Sequence, residues 1–149
     1  MAIASIPVQK SSSFHNVMLF MSKKVFTIQE DKKLIGAKEI MDWAHIRHVP
    51  VVNARQEVVG MISHRDLLAA SISSVGLKLS DEERNRQLGT IPLQSVMRSP
   101  VKTIDTTATI QEAARLMRSQ KIGCLPVVER GKLVGILTDY DLLRVVEEL

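Results

Sequence analysis

Ile46-Arg-His-Val-Pro50-Val-Val52, followed after a short polar stretch by Gly60-Met-Ile-Ser63-His-Arg-Asp66, decides the fold because it occurs twice. It returns as Ile122-Gly-Cys-Leu-Pro126-Val-Val128 and Gly135-Ile-Leu-Thr138-Asp-Tyr-Asp141. Pro50 and Pro126 stand 76 residues apart and Gly60 and Gly135 stand 75 apart, so one residue drops out of the intervening turn. A unit repeated at fixed spacing normally buries its apolar face against its own copy. Each copy here ends in a glycine, two apolar residues, a hydroxyl and an aspartate. The repeat is therefore a candidate ligand site as well as a packing device.

The second copy sets the template. Val101-Lys-Thr-Ile104 reads as a short strand after Pro100. Thr109 and Glu112 form a capping-box pattern opening a helix whose apolar face is Ile110, Ala113, Ala114 and Met117. Leu125-Pro-Val-Val128 reads as a buried strand, Glu129-Arg-Gly131 as a turn and Leu133-Val-Gly-Ile-Leu137 as the antiparallel return, with a final helix opening near Asp139. The first copy repeats this order through Val25-Phe-Thr-Ile28, a helix containing Ala37, Ile40 and Met41, and a hairpin around residues 53–57. Gly36 stands inside that helix at a propensity cost of ~1 kcal/mol.

These patterns give residues 1–16 as an N-terminal extension, 17–72 as the first repeat, 73–92 as a connector and 93–149 as the second repeat. The connector has a looser joint at 73–79, containing Gly76, and a charged helix capped by Ser80 and Glu83. One strand-helix-strand-strand-helix copy buries too little surface to be secure alone. The expected architecture is α/β, with two β-α-β-β-α repeats packed sheet to sheet around a pseudo-two-fold axis and equivalent clefts on either side of it.

Composition narrows the function classes. The chain has 149 residues, 45% of them hydrophobic, as in an ordinary globular protein. Aromatics make up only 3%, which leaves few stacking platforms for single-stranded nucleic acid. The net charge of +4 is spread among acids rather than gathered in a block, so nucleic acid is not an expected partner, although a local basic spot suits a phosphate. One cysteine, Cys124, excludes an internal disulfide or a cysteine-based zinc site. Residues 1–16 lack the basic start and apolar run of a signal peptide, and no stretch reaches the roughly 20 apolar residues of a membrane span. A soluble cytoplasmic protein without a membrane partner is expected.

Ser63-x-x-Asp66 and Thr138-x-x-Asp141 admit two compatible readings. Each is an N-cap pattern whose acid complements a helix dipole. Each also suits a nucleotide, with the helix N-terminus and hydroxyl meeting a phosphate and the acid accepting bonds from ribose. The pairs of buried strand and glycine-to-aspartate motif resemble tandem cystathionine-β-synthase (CBS) domains, the Bateman module. Met21-Ser-Lys-Lys-Val25 and Met97-Arg-Ser-Pro-Val101 resemble the openings of the two family repeats, and the match covers about residues 17–149.

The resemblance implies a ligand containing adenosine, such as AMP, ADP, ATP, S-adenosylmethionine, NAD or a cyclic dinucleotide. It implies ribose recognition by Asp66 and Asp141, and ribose or phosphate contacts from Ser63 and Thr138. It also implies a purine pocket lined by backbone near Thr27, Ile28, Thr103 and Ile104 and covered by Val49, Pro50, Leu125 and Pro126. Arg47, His48, His64 and Arg65 of the first copy stand against Gly123, Cys124, Asp139 and Tyr140 of the second, so phosphate should favour the first set and avoid Asp139.

Other reactive residues offer little. His45 and His48 are three apart, but Pro50 ends the helix before they can share a face, so no metal site is expected. Nothing pairs a nucleophile with a base and an orienting acid, and no catalytic residue is expected. Cys124 reads as a buried apolar side chain, and Trp43 as core or dimer contact ahead of ligand platform. The expectation is a non-enzymatic regulatory homodimer requiring no cofactor, with AMP or ATP as regulatory ligand and an unidentified effector protein as partner. The rival is a ligand-free protein-protein interaction or dimerisation module.

Overall fold

The computed structural model describes residues 15–72 and 79–149. Most of the N-terminal extension and of the joint at 73–79 lies outside the described residues. Two three-stranded sheets form, ordered β1 (Ile28–Gln29), β2 (His48–Val52), β3 (Val58–Ser63) and β4 (Ile104–Asp105), β5 (Cys124–Glu129), β6 (Lys132–Thr138). In each, the first pair is parallel and the second antiparallel, with Ile28 opposite Val51 and Ile104 opposite Val127. Both hairpins shift register between the two adjacent valines, at Val51/Val52 and Val127/Val128. The tight turn between β5 and β6 puts Arg130 (φ 51°) and Gly131 (φ 79°) in the left-handed region, the geometry that a two-residue hairpin loop demands.

The helices follow their capping chemistry. Thr109 Oγ1 accepts the Glu112 N–H at 3.2 Å and Glu112 Oε2 accepts the Thr109 N–H at 2.8 Å, opening α4 (Ile110–Gln120). Its counterpart α1 (Leu34–Ala44) starts from Lys33 without a side-chain cap and ends at His45, left-handed with φ 54°. Ile110, Ala113 and Met117, and in α1 Leu34, Ala37 and Met41, are buried at helical spacing. The connector helix α3 (Asp81–Leu88) carries the expected Ser80–Glu83 capping box. Its polar residues face solvent, but Leu88, only 1% exposed, fixes its end into the first core.

The expected strands at 25–28 and 101–104 are shorter than the sequence suggests. Only Ile28 and Ile104 and the residue after each pair with a neighbour. The residues before them belong to segments that cross between the two halves. Val17 and Phe20 are buried with Leu125, Val127 and Leu137 in the core of the second sheet, and Met21 packs on that core. Leu93 is buried with Val49, Val51 and Ile62 in the first, with Val96 and Met97 packed against it. Ser22 bridges Ile136 and Arg98 bridges Met61 through backbone hydrogen bonds of 2.8–3.0 Å. Each half is completed by the lead-in segment of the other.

That exchange explains the motif glycines. A Cβ on Gly60 would stand 2.9 Å from Met97 Cγ, and one on Gly135 would stand 3.0 Å from Met21 Cγ. The methionine of one repeat lies on the glycine of its twin.

Candidate functional site

Ser63 ends β3 and Thr138 ends β6, and a helix begins at the next residue in each case: α2 (His64–Ile72) and α5 (Asp139–Glu147). The capping alternative is realised in both. Asp66 Oδ2 accepts the Ser63 N–H at 2.9 Å while the Asp66 N–H donates to Ser63 Oγ at 3.1 Å. Asp141 Oδ2 accepts the Thr138 N–H at 2.8 Å and its hydroxyl at 3.1 Å. Each cap uses one carboxylate oxygen. Asp66 Oδ1 also accepts the Arg98 Nε–H at 3.3 Å, whereas Asp141 Oδ1 lies 3.8 Å from the guanidinium of Arg144 on its own helix.

A cleft of about 810 Å³ lies between the copies. That is within the usual range for small-molecule sites. Arg47, His48, Ser63, His64, Arg65 and Leu68 line it from the first half, and Gln120, Lys121, Ile122, Gly123, Cys124 and Asp139 from the second. Met61 and the crossing residues Arg98, Pro100, Val101 and Lys102 complete the wall. Arg47, Arg65, Arg98, Lys102 and Lys121 line it with Asp139 as the single lining carboxylate among the described residues, so the cleft is strongly cationic.

The two halves differ at a matched position. The His64 N–H donates to the Arg47 carbonyl at 2.7 Å and the Asp139 N–H to the Gly123 carbonyl at 3.0 Å. Where the first half places Arg beside His, the second places Gly beside Asp. A Cβ on Gly123 would meet Asp139 Oδ2 at 3.1 Å.

Burial, the largest influence, lowers the His48 pKa below its ordinary 6.5; Asp139 and Asp66 pull it up, and Arg98 and Arg47 push it down. Burial likewise pushes the Cys124 thiol up to about 12, with Asp139 and Asp141 adding to the effect. This thiol is buried and protonated, and so unsuited to nucleophilic work.

The structure thus brings Arg47, His48, Ser63, His64 and Arg65 together on one cleft. The other expected site residues do not line it. Val49, Pro50 and Leu125 are fully buried and Pro126 is buried beside them. Thr27 and Ile28 lie at β1, and Thr103 and Ile104 at β4. Asp66, Thr138 and Asp141 are engaged as caps, and Asp66 also pairs with the lining residue Arg98.

Trp43 is not a core residue. It is 73% exposed and packs edge-on to Phe26, with centroids 5.4 Å apart, because its helical position faces away from Ala37 and Met41. It borders an outer groove with Ile28, Ile35 and Ile40. Sequence reasoning missed Arg98, Lys102 and Lys121 as cleft residues. The first two follow Met97, which was legible only as the opening of the second repeat, and Lys121 is the left-handed cap of α4. Among the described residues no three His, Cys, Asp or Glu side chains gather as a metal would require, and no helix is long and apolar enough to cross a membrane.

A family model for the CBS domain matches residues 16–73 and again residues 93–148. The chain belongs to the CBS-domain family. A CBS domain-containing protein of Dictyostelium discoideum is 36% identical over 128 residues, spanning 85% of this chain and 88% of the relative. A Vibrio cholerae structure given as a candidate acetoin utilization protein (AcuB) is also 36% identical, with a TM-score of 0.72 over 89% of this chain and 90% of the other. The CBS pair spans only 22% of the inosine-5′-monophosphate dehydrogenase of Staphylococcus saprophyticus, to which it is 31% identical. Two solved CBS structures carry adenosine-containing ligands: CBSX2 with AMP (24% identical, TM-score 0.73, 90% of this chain and 97% of the other) and the MJ0100 pair with 5′-methylthioadenosine and S-adenosyl-L-methionine (22%, 0.75, 89% and 96%). At those identities the likeness is one of fold.

Proposed function

We propose that this CBS pair is a non-catalytic regulatory module that binds an adenine nucleotide, AMP or ATP, in the cleft between its repeats. The observation that carries this reading is the charge of the cleft: five Arg and Lys side chains drawn from both repeats and the crossing segment line it, offset by Asp139 in the lining and by Asp66, which pairs with Arg98. Charge-assisted hydrogen bonds to phosphate oxygens are about twice as strong as neutral ones. The same field disfavours the sulfonium cation of S-adenosylmethionine, the ligand of MJ0100, and favours a phosphorylated ligand like the AMP of CBSX2. Ser63 and Thr138 would contact ribose or phosphate, and Asp66 and Asp141 would offer their Oδ1 atoms to ribose hydroxyls.

Cations from both halves line the cleft, so an anion bound among them would be held best when the halves are close together. Ligand would then shift the population toward that arrangement, which an effector protein could read. Tyr140, Leu143 and Val146 form an exposed stripe on α5, which supports a homodimer joined through helices. Calorimetry on nucleotide-stripped protein tests the reading: AMP or ATP is expected to bind and S-adenosylmethionine to bind far more weakly. Failure of AMP, ADP, ATP and NAD alike to bind overturns it.

A further inference from the structure

The two motif aspartates match in sequence and capping but not in their outer partner. Arg98 Nε donates to Asp66 Oδ1 while the same side chain lines the cationic cleft. Asp66 is 13% exposed in this pair and Arg98 63%, so the carboxylate is held in its cap while the guanidinium stands largely in solvent. Arg98 comes from the crossing segment, its backbone tied to Met61 in both directions at 3.0 and 2.9 Å. In the other half that backbone position belongs to Ser22, which bridges Ile136 and whose hydroxyl donates to the Lys24 carbonyl at 3.4 Å. Among the described residues no crossing cation reaches Asp141, whose Oδ1 has the 3.8 Å approach of Arg144.

We infer that Arg98 is a latch making the Asp66 site selective for phosphorylated ligands. The inference rests on the nucleotide reading above. Paired with Asp66, Arg98 occupies the carboxylate oxygen that ribose hydroxyls need, so an uncharged nucleoside must displace it without compensation. A phosphate entering the cleft offers the guanidinium a stronger bidentate partner. Arg98 turns from carboxylate to phosphate, and Asp66 Oδ1 becomes free to accept ribose. One residue thus penalises adenosine and rewards AMP. It also releases a tie between α2 and the crossing segment only when phosphate is present. Among the described residues Asp141 has no such latch.

Titrations of adenosine and AMP into wild type and Arg98→Gln, followed at the Asp66 and Asp141 amide resonances, read the two sites separately. At Asp66 the variant is expected to bind adenosine about threefold more tightly, since a half-exposed ion pair is lost. It is expected to bind AMP about tenfold more weakly, since a charge-assisted phosphate contact is lost. Binding at Asp141 should not change. Arg98→Lys keeps a cation but not the planar fork and should fall between. Shifts of the same sign for both ligands at Asp66, or none, overturn the latch and leave the nucleotide reading standing. Absence of binding by either ligand to either protein overturns the latch, and it overturns the nucleotide reading as well if ADP, ATP and NAD also fail to bind.

Discussion

His48 shows how one side chain couples the cleft to pH. It stands in the cleft wall at the start of β2, held by burial below its ordinary pKa of 6.5. The unfolded chain keeps the ordinary value, so as pH falls through 6.5 the unfolded state binds more protons than the folded one. Folded stability therefore declines on acidification and is recovered as pH rises above that value. His48→Gln is expected to flatten the change in melting temperature between about pH 5 and pH 7. A bound phosphate adds negative charge near the ring, so wild type should take up more protons on AMP binding near pH 6 than His48→Gln does, measurable by calorimetry in buffers of different ionisation enthalpy. The hydroxyl-x-x-aspartate motif and the contrast of Arg47 and His64 with Gly123 and Asp139 were legible in the sequence, because local capping and charge are local properties. Arg98 and Lys102 were not, because they reach the cleft only through a crossing that brings together residues distant in the chain.

At the scale of elements, the capping boxes at Ser80 and Thr109, the N-cap at Thr138 and both hairpins were readable from residue type alone, since turns and helix starts are decided by a few neighbours. The short lengths of β1 and β4 were not, since strand length depends on what lies alongside. The contact of Gly60 with Met97 gives the crossing a measurable weight. A Cβ on Gly60 would stand 3.3 Å from the Met97 Cβ as well as crowding the thioether, so bending the side-chain tip away does not fully relieve it. Gly60→Ala is expected to cost ~1–3 kcal/mol in urea denaturation. Adding Met97→Ala should recover part of that loss, whereas Met21→Ala, which faces Gly135, should add its own loss to that of Gly60→Ala.

At the scale of the whole molecule, the outward stripe of α5 predicts assembly. Leu143→Glu is expected to leave the melting temperature nearly unchanged in dilute protein while light scattering falls to the mass of a single chain, because Leu143 is 63% exposed and outside both cores. Loss of the fold in that variant would instead place Leu143 in a core role. The crossing segments have a further consequence, in time rather than in space. During synthesis the first sheet can close its core once Leu93 has left the ribosome. Val17 and Phe20, made long before, must wait until Leu125, Val127 and Leu137 exist. Contacts spanning so much of the chain form slowly, and apolar groups exposed meanwhile invite wrong partners. The apolar residues that emerge among the first are therefore among the last to be buried, and for most of translation the nascent chain carries an unclosed end that a chaperone is well placed to hold.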